Sequence, residues 1–203
     1  MRGEKAYEDA TLRSSNPNPE AYRDAWSLRL NSELRRDAWT LKPYIRRSQM
    51  AFLQHFLPGQ PLEENDQSSV GVIVERDVST ATAQVSVGGQ AEFMSGGLRE
   101  FQSLPTTGSN FLVATRPAGL HYDYDVNSAL FAAFYNLDYN LATGTRLVHS
   151  LRVETLKYDY TNNHIVGNTK DDGSACGFGG CLYTRPASRE DEFTNLGARL
   201  GVD

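Results

Sequence analysis

The chain has 203 residues, with 20 lysines and arginines against 25 acidic residues and a formal net charge of −5. That length suits one ordinary domain, and an acidic chain without a basic stripe excludes nucleic acid as an expected partner. No run of 18 or more apolar residues exists, so no transmembrane helix is available; membrane strands, which alternate and never form such a run, stay open.

Residues 1–25, MRGEKAYEDATLRSSNPNPEAYRDA, contain no apolar h-region of a signal peptide. A cytoplasmic soluble protein and a piece of a longer chain would both read this way. Beyond them helical periodicity is scarce and period-two alternation is frequent. In AWSLRLNSEL, Trp26, Leu28, Leu30 and Leu34 share one face, opposite Ser27, Arg29, Asn31 and Glu33. WTLKPYIRR sets Trp39, Leu41, Pro43 and Ile45 against Thr40, Lys42, Tyr44 and Arg46. SSVGVIVER sets Val70, Val72 and Val74 against Ser69, Gly71, Ile73 and Glu75, and ATAQVSVGGQAEF sets Val85, Val87, Ala91 and Phe93 against Gln84, Ser86, Gln90 and Glu92. NSALFAAFYNLDYNL and TRLVHSLRVETLKYDY continue the pattern, the latter with Leu147, Leu151 and Val153 opposite Arg146, Arg152 and Glu154. FTNLGARLGVD resumes it at the end.

About seven strands are thus expected, joined alternately by short and long connections. Short ones lie around RRDA, RDVST and LATGT; long ones are FLPGQPLEEND, residues 94–125 and residues 161–192. Loops longer than about 12–15 residues are uncommon in compact domains, and long loops always at one end need an asymmetric cause. An outer-membrane barrel supplies it, with short periplasmic turns and longer extracellular loops. The segments 39–56, 126–141 and 145–160 also exceed the usual strand of about 5–6 residues. Trp39, Tyr135 and Tyr139 lie near the short-turn ends, as an interfacial aromatic girdle would. A soluble β-sandwich alternates too and is the alternative, as a sheet module binding a protein or a glycan. A small stand-alone outer-membrane barrel is a third reading. Single-chain barrels have even strand numbers and an open edge is not viable in lipid, so the expected fold is an all-β, antiparallel up-and-down transmembrane barrel fragment, part of a larger barrel.

Several strings carry a resemblance: FLQHFLPGQPLEEN, HYDYDV, LRVETLKYDYTNN, DDGSACGFGGCLYTRP and REDEFTNLGARLGVD. They resemble the barrel domain of TonB-dependent outer-membrane receptors. Phe193, Leu196, Arg199, Leu200, Gly201 and Val202 match the family's F-x-x-L-x-P-[KR]-L-G-[LV] stretch, with Ala198 in place of the proline. LRVE resembles its G-L-R-Y-E strand, with Ser150 for the glycine and Val153 for the tyrosine. The resemblance implies residues 24–203 as part of a barrel of about 22 strands, with residues 1–23 as the tail of a preceding extracellular loop. It also implies a bacterial outer-membrane location and a transporter rather than an enzyme, importing a scarce ligand such as a ferric siderophore or another iron complex. The partners implied are outer-membrane lipid, a plug domain, and the TonB complex reached through an N-terminal box; neither plug nor box is among these residues.

On this reading Arg29, Glu33, Lys42, Arg46, Glu75, Glu92, Arg152 and Glu154 face the lumen, and no catalytic or resident metal site is expected. Candidate ligand-binding residues are His55, Phe56, Arg116, His121, Tyr122 and Tyr124, because loops and their margins carry recognition. A calcium loop in NTKDDGSACGFG fails, since Lys170 takes a ligand position and Gly179 stands where the bidentate glutamate belongs. His149 conflicts with the expected lipid face, unless it lies near the periplasmic interface. Cys176 and Cys181 fall in the loop placed outside the cell, where disulfides persist. Zinc would need two further ligands and a thioredoxin-type pair two intervening residues rather than four, so a disulfide staple is expected.

Overall fold

A computed structural model describes residues 8–9, 20–141 and 144–202; most of the expected 1–23 loop tail lies outside the described residues. The elements are β1 (Arg23–Asn31), β2 (Leu34–Arg36), β3 (Trp39–Leu53), β4 (Leu62–Ser79), β5 (Ala83–Gln102), β6 (Gly119–Asn140), β7 (Arg146–Asn162) and β8 (Arg189–Val202). One short helix, α1 (Asn110–Thr115), lies between β5 and β6. All strands join one antiparallel sheet in the order β1-β3-β4-β5-β6-β7-β8, with β2 beside β3. Every long strand pairs with its sequence neighbour, which is the up-and-down topology expected from the alternation.

The boundaries differ from the sequence expectation in instructive ways. The first strand breaks at Ser32–Glu33, and β1 and β2 pair with β3 on either side of Pro43 in one register. Ser32 donates to Pro43 O at 3.1 Å, but proline returns no N–H, so the ladder fails there. The expected 94–125 loop shrinks to residues 103–118, because β5 runs on to Gln102 and β6 starts at Gly119. Gly96 sits inside β5 rather than ending it: a Cβ there would lie 2.5 Å from Asp66 O. The expected loops 56–66 and 161–192 likewise shorten to 54–61 and 163–188. His121, Tyr122 and Tyr124, expected at a loop margin, are therefore strand residues.

Register fixes two different faces. One carries the cross-strand rows Leu41–Val74–Gly89–Ala133–Val153–Leu196 and Pro43–Val72–Ala91–Phe131–Thr155–Thr194. Trp39 and Tyr135 lie one row nearer the short turns, with Arg76 stacked over Trp39 at 5.4 Å. Among the described residues nothing covers this face: Ile45, Val70, Phe93 and Phe131 are each about half exposed. His149 is on it too, hydrogen-bonded to Tyr135 Oη at 2.6 Å near the short-turn end, so its polar edge has a partner. The opposite face, at the same height, is a polar lattice. Lys42 pairs with Glu75 at 2.9 Å, Tyr44 donates to Glu92, and Gln90 donates to Tyr44 at 2.9 Å. Arg152 bridges Gln90 and Glu154, both at 2.9 Å. Arg29 lies on this face opposite Arg46, whereas Glu33 falls in the β1–β2 break and pairs with Arg35.

Candidate functional site

The long loops do not stand apart. Three of them converge over the polar face at one end of the sheet. The β5–β6 register shifts between Glu100 and Phe101, and this bulge leaves His121 unpaired in the ladder, free to turn inward. Its ring is fully buried. Nδ1 lies 3.0 Å from Glu100 Oε1, and Nε2 lies 2.8 Å from the carbonyl oxygen of Pro117. Pro117 O only accepts, so Nε2 carries the hydrogen of that bond and donates. Tyr183 stacks on the ring at 4.3 Å. One side chain thereby ties the sheet to both long loops.

Further polar groups complete the junction. Gln54, at the start of the β3–β4 turn, reaches Glu63 at 2.6 Å and Glu100 at 3.4 Å. Gln102 is fully buried and donates to Leu104 O at 2.7 Å and Thr106 Oγ1 at 2.9 Å. Arg116 lies 4.0 Å from Glu100. Arg185 is the largest buried cation, 1 % exposed. Its acceptors are neutral: Ile165 O, His121 O at 3.3 Å, Thr169 O at 2.7 Å and Lys170 O at 3.2 Å among them. A ring of carbonyl dipoles takes the place of a carboxylate. Burial lifts the Tyr183 phenol above its usual range, against the pull of Arg185. His164 is held below the usual histidine range, first by burial and then by the Arg185 charge.

Of the residues singled out from sequence, Arg116, His121 and Tyr122 meet at this junction, Tyr122 packing beside Tyr183. Tyr124 lies further down β6, tilted against Tyr160 at 5.1 Å. His55 and Phe56 form an edge contact in the β3–β4 turn, with Phe56 65 % exposed. Cys176 and Cys181 are joined by a disulfide with Cα atoms 5.0 Å apart. Sequence reasoning missed Gln54, Glu100, Gln102, Tyr183 and Arg185. Glu100 and Gln102 were within reach: carried past Phe93, the alternation in MSGGLREFQ places both on the polar face. Arg185 carries no local signal, because its acceptors are distant backbone carbonyls. Among the described residues no group of three or more His, Cys, Asp and Glu is placed to hold a metal ion.

An up-and-down sheet of long strands, apolar on one face and charged on the other, with short turns at one end and folded loops at the other, has the architecture of an arc of a transmembrane β-barrel. Solved structures bear out that fold. The chain is similar to the copper transporter OprC, at 14% identity and a TM-score of 0.51, covering 89% of this chain and 28% of that one. It is also similar to the open form of the ferric-catecholate import receptor Fiu from E. coli K12, at 13% identity and a TM-score of 0.53, covering 95% and 36%. The chain thus spans about a third of the structures it matches. No family model and no curated protein sequence matches it.

Proposed function

We propose that the chain is part of a TonB-dependent outer-membrane receptor, a transporter rather than an enzyme, that imports a scarce chelated metal. A ferric siderophore or other iron complex is the first candidate ligand, and a copper species is the second. One observation carries this reading: at one height the sheet is apolar on one face and ion-paired on the other, and among the described residues no second layer covers the apolar face. A soluble sandwich would bury that face; among the described residues the buried apolar cluster is Cys176, Cys181 and Tyr183, in the loop cap. Among the described residues no helix is long and apolar enough to cross a membrane, but a barrel crosses with strands. The polar lattice on Lys42, Tyr44, Glu75, Glu92 and Arg152 would meet the plug domain, and the apolar face would meet lipid.

At the capped end, His55, Phe56, Arg116, Tyr122 and Tyr124 are the proposed ligand contacts. His121 belongs to the same set as the residue that positions the others, since both its nitrogens are occupied inside the cap. The test is accumulation of radiolabelled ferric siderophores and copper by cells carrying the full-length gene, with and without a working TonB complex. Energy-dependent uptake of one of them supports the reading. A product found folded and monodisperse in detergent-free buffer, absent from the outer-membrane fraction, would sink it.

A further inference from the structure

The two longest loops share one short helix and one disulfide. The Cys176–Cys181 bond closes a small ring over Gly177–Gly180. This ring belongs to the 163–188 loop but docks on α1 of the 103–118 loop. Gly177 N–H donates to Ala114 O at 3.1 Å, and Leu182 N–H donates to Thr115 O at 2.9 Å. Those carbonyls are among the last of the helix, which have no partner within it. α1 has six residues, and helices below about 12–15 residues are marginal in water without tertiary support. Its N-terminus has the Ser109 cap. Its C-terminus is completed by the ring.

We propose that the disulfide is the latch of a single two-loop cap. While the bond is closed, residues 103–118 and 163–188 open and close as one body. When it is reduced, α1 and the ring are released together and the sheet stays folded. The inference goes beyond the transport reading and holds whatever the ligand is. The reaction needs a dithiol reductant. Its thiolate attacks one Sγ, forming a mixed disulfide and expelling the other sulfur as thiolate. Its second thiol then resolves the mixed disulfide. Two electrons and two protons end on Cys176 and Cys181, and the reductant leaves as its own disulfide. Both cysteines are only 7 % exposed, so attack waits for the cap to open, and the reduction rate reports that opening.

The experiment is amide hydrogen exchange on the full-length protein in lipid, before and after dithiothreitol. Reduction is expected to cut protection of the α1 amides about tenfold or more while β5 and β6 keep theirs, as a local cooperative unit would. A C176S/C181S double variant should behave as the reduced protein. Gly177→Val tests the docking with the bond intact: a Cβ there lies 2.9 Å from Ala114 Cβ, so α1 should lose protection and dithiothreitol should reduce the bond faster. Unchanged α1 protection in either variant overturns the latch, as does loss of protection in β5 and β6 along with the cap.

Discussion

His121 concentrates the most structure in one side chain. His121→Phe keeps a ring to stack on Tyr183 but removes both polar contacts, leaving Glu100, itself 7 % exposed, with a lost partner. Gln54 and Arg116 still lie near that carboxylate, so the expected cost is about 2–3 kcal/mol, below the full penalty of a broken buried pair. A lowered urea midpoint at constant slope would show it. His164 gives the cap a pH dependence of defined sign. Its folded-state value is held below the ordinary one, so the unfolded loop binds more protons in the window between them. Stability is therefore full above about pH 6.5 and is lost as pH falls through that window. Exchange of the amides in residues 163–170, corrected for the intrinsic rate, should accelerate on acidification. His164→Asn should remove that acceleration, and an unchanged profile in this variant would disprove the assignment to His164.

At the scale of elements, strand existence was legible and strand ends were not. Alternation gives the faces of β3 to β8 directly, because a one-residue slip would invert every side chain. It fails at Gly96 and Gly97, which look like a loop and are strand, since a glycine marks either a turn or a close backbone approach. The convergence of three loops had no trace in the sequence, because Gln54, Glu100, His121 and Arg185 meet only after the strands are paired. Glycines on the polar face matter for a different reason. Gly71 pairs with Tyr44, and a Cβ at Gly71 would lie 2.3 Å from the tyrosine ring; the ring lies over the glycine and so reaches Glu92 and Gln90. Gly71→Val should displace it, break those bonds and cost about 1–3 kcal/mol. Gly197→Ala, where the nearest atom to the new Cβ is Arg152 O at 4.0 Å, should be near neutral. Paired urea melts of the two variants compare them directly.

Across the whole molecule, the upper margin of the apolar face is not level. On β1 the last apolar residue toward the long loops is Trp26, opposite Gln49; on β8 it is Leu196, in the row of Leu41. The margin thus drops eight residues, from 49 to 41, over six strand steps from β1 to β8. At ~3.3 Å per residue and ~4.8 Å per strand, the slope is about 42°, within the tilt that membrane barrel strands take to the barrel axis. A horizontal membrane boundary drawn on tilted strands produces this descent; an apolar face cut for a second protein layer has no reason to. Neighbouring alanines on β6 make the distinction measurable. Ala133 lies on the apolar face between Gly89 and Val153, while Ala132 lies on the polar face directly opposite Glu154. In lipid, Ala133→Lys should cost about 2–4 kcal/mol, the penalty of a cation facing the bilayer interior. Ala132→Lys should be close to neutral, because the new ammonium meets Glu154 in a hydrated lumen. Unfolding from vesicles by urea reads both. If the two lysines cost the same, the apolar face does not meet a membrane, and the slope of its margin would need another cause.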